Sequence, residues 1–414
     1  RAGIVTGSAA YTYTAAEPKP CRPRKIHIPF LCPIWASKCY LRSPFRADAE
    51  TRQKNLLEFT PPCRVTWRNK HELVLQQGRL WSVEEEREDM KHVLVGFGFG
   101  PIQAGLFAKE ARESGNFSDI AVSEVDQELV DAVRRNGDKY AVNVAHRNGR
   151  DAVEVAGVRL LSPRDPDDRG CLQEMLSRAT EIVTALPSVT FYSSGDADSA
   201  SALIAGGLRS DKAAATIVYA AENNNRAAEI MSERMNAAPL FRKGHRPVQF
   251  LNTVIGKMSQ VVVGQAAMSG GLVPIVPGFP RAFLLEEFNH IMTSKISLPG
   301  FSPGITVFEQ KENLLPFEEA KLFGHNAINT SLGFVAVRLG MKLMSELRDR
   351  PDIMSFARDA FINETGAALI SKYGLTGDPL FAPAGFEEFA DDLLARMINP
   401  YLADTVERAM RDPV

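Results

Sequence analysis

The feature that most constrains this chain is a short apolar run broken by glycines. His92-Val-Leu-Val-Gly-Phe97 leads into Gly98-Phe-Gly100-Pro-Ile-Gln-Ala-Gly105, and helical spacing follows over 106–114. A run of that length and composition predicts a strand buried on both faces of a parallel sheet. Strand, glycine turn and helix in that order form a phosphate cradle: glycines let backbone N–H groups approach a pyrophosphate, and the helix N-terminus adds a favourable dipole. Gly98, Gly100, Pro101 and Ile102 are therefore candidate cofactor contacts. The third glycine of the usual spacing is Gln103 here, so close helix packing falls to Ala104 and Gly105.

A second predicted strand, 119–124, ends at Glu124, 26 residues after Gly98. A carboxylate at that place accepts from both ribose hydroxyls of NAD and repels the 2′-phosphate of NADP. NAD is the expected cofactor. Further strands are predicted at 181–186 and 215–220 with helical segments between them. The fold class expected is thus α/β, a Rossmann-type dinucleotide-binding domain over 90–222. Long amphipathic segments then predominate (226–235, 283–292, 317–339, 341–347, 353–373 and 386–398), predicting a mostly α-helical domain over 223–414 that carries substrate groups.

Residues 1–89 differ in character. They hold 15 Lys and Arg against 10 Asp and Glu, whereas the remainder holds 33 against 40. Four of the five cysteines and all three tryptophans lie there, with clustered prolines and no sustained period. Glu17 is the single acid before position 48, which fits an Arg-rich transit peptide; a small accessory domain, or an irregular extension ahead of a start at Met90, fits as well, the last being favoured. The cysteine spacings form no paired zinc pattern, and no metal is expected. Only Cys171 lies beyond the seam, so the main body is expected to need no disulfide and to suit a reducing, cytoplasmic compartment. A net charge of −2 gives no sign of nucleic acid or an anionic membrane as partner. No stretch nears the roughly 18 apolar residues of a membrane span. Oligomeric state is left open, monomer or dimer.

One helical segment carries polar groups in an apolar setting. At 100° per residue, Lys321, His325 and Asn329 of Lys321-Leu-Phe-Gly-His-Asn-Ala-Ile-Asn329 fall at about 0°, 40° and 80°, with Asn326 at about 140°. This arc is either a solvent-facing stripe or a functional face, since a lysine turned inward is costly without a task or a partner.

Several motifs in order resemble the mannitol dehydrogenase family, most closely the branch acting on mannitol 1-phosphate: Ala221-Glu-Asn-Asn-Asn-Arg226, Lys321-Leu-Phe…Asn326, Glu364-Thr-Gly-Ala…Lys372-Tyr-Gly374 and Asn399-Pro-Tyr-Leu-Ala-Asp-Thr-Val-Glu-Arg408. The resemblance runs with gaps from Met90 to Val414. It implies NAD-dependent interconversion of a polyol or polyol phosphate with the corresponding ketose, without a catalytic metal. Lys321 matches the family's general base, Asn223 and Asn326 the amides that stabilise the alkoxide, and Arg408 an arginine on substrate oxygens. His325 and Lys257 join Arg408 and Asn329 as candidate substrate contacts, and the small-molecule partner is a polyol or sugar phosphate. The chain departs from the pattern at Asn329, where the family has His, and at Gly256-Lys257, where it has Asp-Arg. The family continues past the position of Val414, so the helical domain is expected to be incomplete. The changed positions leave an alternative, a catalytically weakened homologue that binds NAD or a sugar phosphate without turnover.

Overall fold

The computed structural model describes the backbone of 74–76 and 79–81, and residues 92–414 except 194–196, 265–269 and 412–414. The chain divides into two compact units, Arg1–Met90 and Lys91–Val414. In the first, β1 (Val74–Gln76) and β2 (Arg79–Trp81) form an antiparallel hairpin with Val74 opposite Trp81. The other expectations for 1–89 lie outside the described residues.

The second unit is organised by an eight-stranded sheet. Its parallel strands are β3 (His92–Phe97), β4 (Phe117–Ser123), β7 (Val158–Leu161), β8 (Glu181–Thr184), β9 (Thr216–Ala220) and β10 (Val248–Ile255). In space they run β10-β9-β8-β3-β4-β7. The chain winds outward from β3 to one edge, returns, and winds outward to the other, which is the doubly wound order of dinucleotide-binding domains. β13 (Ile291–Ser294) adds antiparallel to β10, and β14 (Glu309–Lys311) adds parallel to β13. A smaller sheet has the order β11-β12-β5-β6, from Lys139–Ala145 (β5), Arg150–Ala156 (β6), Ser259–Val263 (β11) and Arg281–Glu286 (β12).

Alternation along the strands supplies two cores. Val93, Val95 and Phe97 of β3 pack with Leu172, Leu176, Leu203 and Met231, while Leu94 between them joins Leu106, Phe107, Val130 and Phe283 on the opposite face. The helices covering these faces start where the sequence provides caps. Asp126 accepts from Leu129 N–H at the head of Gln127–Arg135, and Asp165 accepts from Asp167 and Asp168 N–H at the head of Pro166–Arg178.

The predicted helix over 283–292 is not present. That stretch ends β12, turns, and enters β13. Ala282, Phe283, Leu284 and Leu285 are all buried, and a strand buried on both faces has no alternation to distinguish it from helix. The sheet likewise continues well past 222: β10, β13 and β14 all follow that position; the expected helix over 226–235 is present as Ala227–Ala237, and helices predominate only from Leu315.

This helical part runs Leu315–Glu319, Ala327–Arg338, Pro351–Ala360, Ala367–Tyr373, Pro383–Met397 and Val406–Ala409. It encloses a third core of Phe317, Leu332, Leu347, Phe361, Phe386 and Leu394, into which Val254 and Leu284 reach from the sheets. Two of its helices contain π-helical turns, Ala320–Asn326 and Phe361–Gly366, and a third such turn, Gln103–Ala108, opens the helix after β3.

Candidate active site

The glycine turn sits at the point where the strand order reverses, between β3 and β8. Gly98 has φ +83°, and a Cβ there would lie 2.8 Å from Ala185 O at the end of β8, so both conformation and space require glycine. At Gly100 no atom lies within 4 Å of a Cβ position, leaving open room above the turn. Pro101 and Ile102 begin the helix, and Ala104 N–H donates to Gly100 O at 2.9 Å. Gly105, where a Cβ would come within 2.6 Å of Leu285, provides the close packing expected of the absent third glycine. Gln103 is fully buried over Gly96 with no partner for its amide.

Glu124 follows β4 directly. Its carboxylate accepts from Phe99 N–H and Asp126 N–H, both at 2.8 Å, which fixes it beside the turn with lone pairs to spare. An open cradle and a held acid fit a dinucleotide.

Ile102 also belongs to the wall of a neighbouring crevice of about 250 Å³. Asn223, Lys257, Lys321, His325, Asn326, Asn329 and Arg408 all line it. These residues come from the turn after β9, the end of β10, the helix around the Ala320–Asn326 turn and the last helix. The sequence-predicted substrate-side residues are thereby brought to one place, and the polar arc faces a crevice rather than open solvent. Within the π turn, Gly324 packs so close to Phe361 that a Cβ would approach its ring at 2.8 Å. Arg226, Arg242 and Lys243, the other cations of this region, are exposed and lie outside the crevice wall.

Within the crevice, Lys321 Nζ donates to Asn223 Oδ1 at 2.7 Å. Burial pushes the Lys321 ammonium down to about 8, opposed by Glu318 one helical turn earlier. Glu318 is itself buried and pushed up to about 7. With its oxygen engaged by Lys321, Asn223 keeps both amide hydrogens for another acceptor. His325 is buried, and desolvation, followed by the charges of Arg396, Lys321 and Arg408, holds it well below its ordinary value, hence neutral. Asn329 is buried with no donor to its Oδ1.

The remaining cations differ in how far they are neutralised, and Arg411, also in the wall, pairs with Glu407 at 2.8 Å. Arg408 donates through Nε and Nη2 to the two oxygens of buried Asp404, each at 2.5 Å, which orients it and balances its charge. Lys257 donates to Phe288 O at 2.8 Å and Asn289 Oδ1 at 2.9 Å, neutral acceptors, and burial pushes it down to about 8.

Sequence reasoning missed Glu222, which lies inside a quoted motif. This buried residue accepts from Leu186 N–H at 2.9 Å, Thr184 Oγ1 at 3.0 Å and the Tyr192 hydroxyl, and burial pushes it up to about 7. It joins the ends of β8 and β9 directly before Asn223. Thr253 and Ile255, also in the wall, were legible as alternate residues of β10 only once that strand was known. Among the described residues no three His, Cys, Asp or Glu gather as a metal site would require, and no helix is long and apolar enough to cross a membrane.

No family model matches the chain. It is 26% identical over 322 residues to a mannitol-1-phosphate 5-dehydrogenase of Brevibacillus brevis, covering 77% of this chain and 76% of that one. Its fold is similar to that of Pseudomonas fluorescens mannitol 2-dehydrogenase, solved as a ternary complex with NAD and D-mannitol: TM-score 0.58, 15% identity, covering 78% of this chain and 71% of the other. It is also similar to a D-sorbitol dehydrogenase solved in substrate-free form, with TM-score 0.59, 12% identity and coverage of 78% and 73%.

Proposed function

We propose that this chain, which belongs to the mannitol dehydrogenase family, is an NAD-dependent oxidoreductase interconverting a polyol or polyol phosphate with its ketose. The observation that carries the proposal is the Lys321–Asn223 pair, 2.7 Å apart in a polar crevice that shares Ile102 with the glycine turn. Gly98, Gly100, Pro101 and Ile102 would hold the NAD pyrophosphate end and Glu124 a ribose. Bound NAD supplies the hydride acceptor.

The chain's own groups handle the proton and the charge. A lysine desolvated to about 8 is largely able to release its proton at mildly alkaline pH, so Nζ takes the proton of the hydroxyl being oxidised. Its bond to Asn223 Oδ1 fixes Nζ and turns the Asn223 amide hydrogens toward the crevice. Asn223 and Asn326 then donate to the oxygen as negative charge develops, without a proton of their own to lose. Neutral His325 and Asn329 offer donors and acceptors to neighbouring hydroxyls. Arg408 is held by Asp404 for the same purpose. Lys257, with no carboxylate in direct contact, is the group best suited to a phosphate end.

The test is NADH formation with mannitol 1-phosphate, mannitol and related polyols, for the wild type and Lys321→Ala. Turnover on at least one polyol that collapses in Lys321→Ala supports the proposal. Tight NAD binding with no turnover on any polyol would overturn it in favour of a binding role, consistent with the changes at Asn329 and Gly256.

A further inference from the structure

Behind the crevice, across β10, lies a second cavity of about 480 Å³. Thr253 and Ile255 of β10 face the crevice, whereas Val254 and the following Gly256 face this cavity. Lys321 and His325 stand in the walls of both. The two chambers are chemically unlike. The crevice is lined largely by amides and cations, whereas Phe288, Met292, Phe317, Leu380, Phe389 and Leu393 give the second cavity an apolar, ring-lined part of its wall.

Two cations of the second cavity, Lys311 and Arg396, are already paired with carboxylates. Lys311 pairs with Asp378 at 2.7 Å and Glu309 at 2.5 Å and lies 4.4 Å from the Phe317 ring centre. Arg396 pairs with Glu286 at 2.6 Å and lies 3.6 Å from the Phe288 ring centre. Two acids thus share Lys311, and exposed Glu388 adds a further negative charge at the rim. An entering anion would meet four carboxylates, Glu309, Asp378, Glu388 and Asp392, against Lys311, Arg396 and Lys321. Of these cations only Lys321, donating to the Asn223 amide, is without a carboxylate partner, so surplus negative charge opposes the anion. A neutral or positive group meets no such penalty, and the ring-lined interior is the size of sites that enclose small organic ligands.

We propose that this cavity is a second binding site, distinct from the substrate crevice, for a small aromatic molecule whose polar end is neutral or cationic. An occupant would touch Lys321 and His325 from the side opposite the substrate.

The test is isothermal titration of the full chain with indole, tryptamine and indole-3-acetate, which share a ring and differ in charge. Indole and tryptamine are expected to bind, and indole-3-acetate to bind at least about 10-fold more weakly. In Gly256→Leu the new side chain enters open space, since a Cβ there has only Phe288 Cε1 within 4 Å, at 3.6 Å. Leu380→Glu places a charge in the apolar wall from a different element. Each variant, checked for an unchanged melting transition, is expected to weaken indole binding at least about 10-fold. Failure of both indole and tryptamine to bind at millimolar concentration overturns the proposal. So does equal affinity for all three, or binding that survives both substitutions. Because the measurement needs no turnover, its outcome is independent of whether the crevice oxidises polyols.

Discussion

At the scale of single residues, the proposed base Lys321 is expected to set the pH behaviour. Oxidation needs the neutral amine, so kcat/KM for polyol oxidation is expected to rise through about pH 8 and level off, while ketose reduction, which needs the ammonium, falls over the same range. Paired pH profiles in the two directions check this, and a flat oxidation profile from pH 6 to 10 would remove Lys321 from the role of base. Lys321→Met is expected to lower turnover by about 10²–10⁴-fold without lowering the melting temperature, because it removes a charge that the folded state holds at a desolvation cost. Asn223→Ala is expected to lower kcat about 10²-fold with little change in KM if the amide acts chiefly on developing charge. Steady-state kinetics separate that outcome from simple loss of substrate binding. Gly98→Ala forces a Cβ against Ala185 O at positive φ, with an expected stability loss of about 1–3 kcal/mol and loss of NAD affinity, readable by denaturant titration and cofactor titration.

Among the elements, the joints carry the polar groups that hold the fold. Arg246 is buried and donates to Leu176 O, Ser177 O and Ala179 O at the end of one helix, Gly207 O and Ser210 O at the end of another, and Thr216 Oγ1 at the start of β9. It satisfies carbonyls that a helix cannot pair internally and sets a positive charge at two negative dipole ends. Arg246→Met would strand several of these carbonyls, and an unfolding titration is expected to show a loss of about 3 kcal/mol or more. Elements whose pattern is local were legible in the sequence: β3, β8 and β9 were placed to within two residues because each is a short apolar run bounded by turn signals. β12 and β13 were not. Their buried run imitates one face of a helix, and their strand character comes from partners far away in the chain, Asn143–Ala145 for β12 and Thr253–Ile255 for β13.

For the whole molecule, the buried titratable groups set the course of stability with pH. Glu181, Glu222 and Glu318 are pushed up to about 7 by burial, so the folded state holds protons that the unfolded chain releases, and stability falls as pH rises from about 4.5 to 7. Lys257 and Lys321, pushed down to about 8, act in the opposite sense: the unfolded chain holds the protons, and stability recovers as pH rises from 8 toward 10. His92 and His325, both lowered by burial, oppose the carboxylates below their ordinary value without outnumbering them. The melting temperature is therefore expected to pass through a shallow minimum between about pH 7 and 8, and Glu181→Gln to reduce the rise on its acid side. A maximum in that range would show that other groups dominate. The sequence alone determined the glycine turn after β3, the acid after β4 and the polar arc on one helix, because each depends on residues close together along the chain. Tertiary structure alone decided that the arc faces a crevice, that Asn223 meets a lysine 98 positions away, and that β10 separates two chambers of opposite character. These are consequences of burial and of contacts between distant segments, for which no local period or spacing carries a signal.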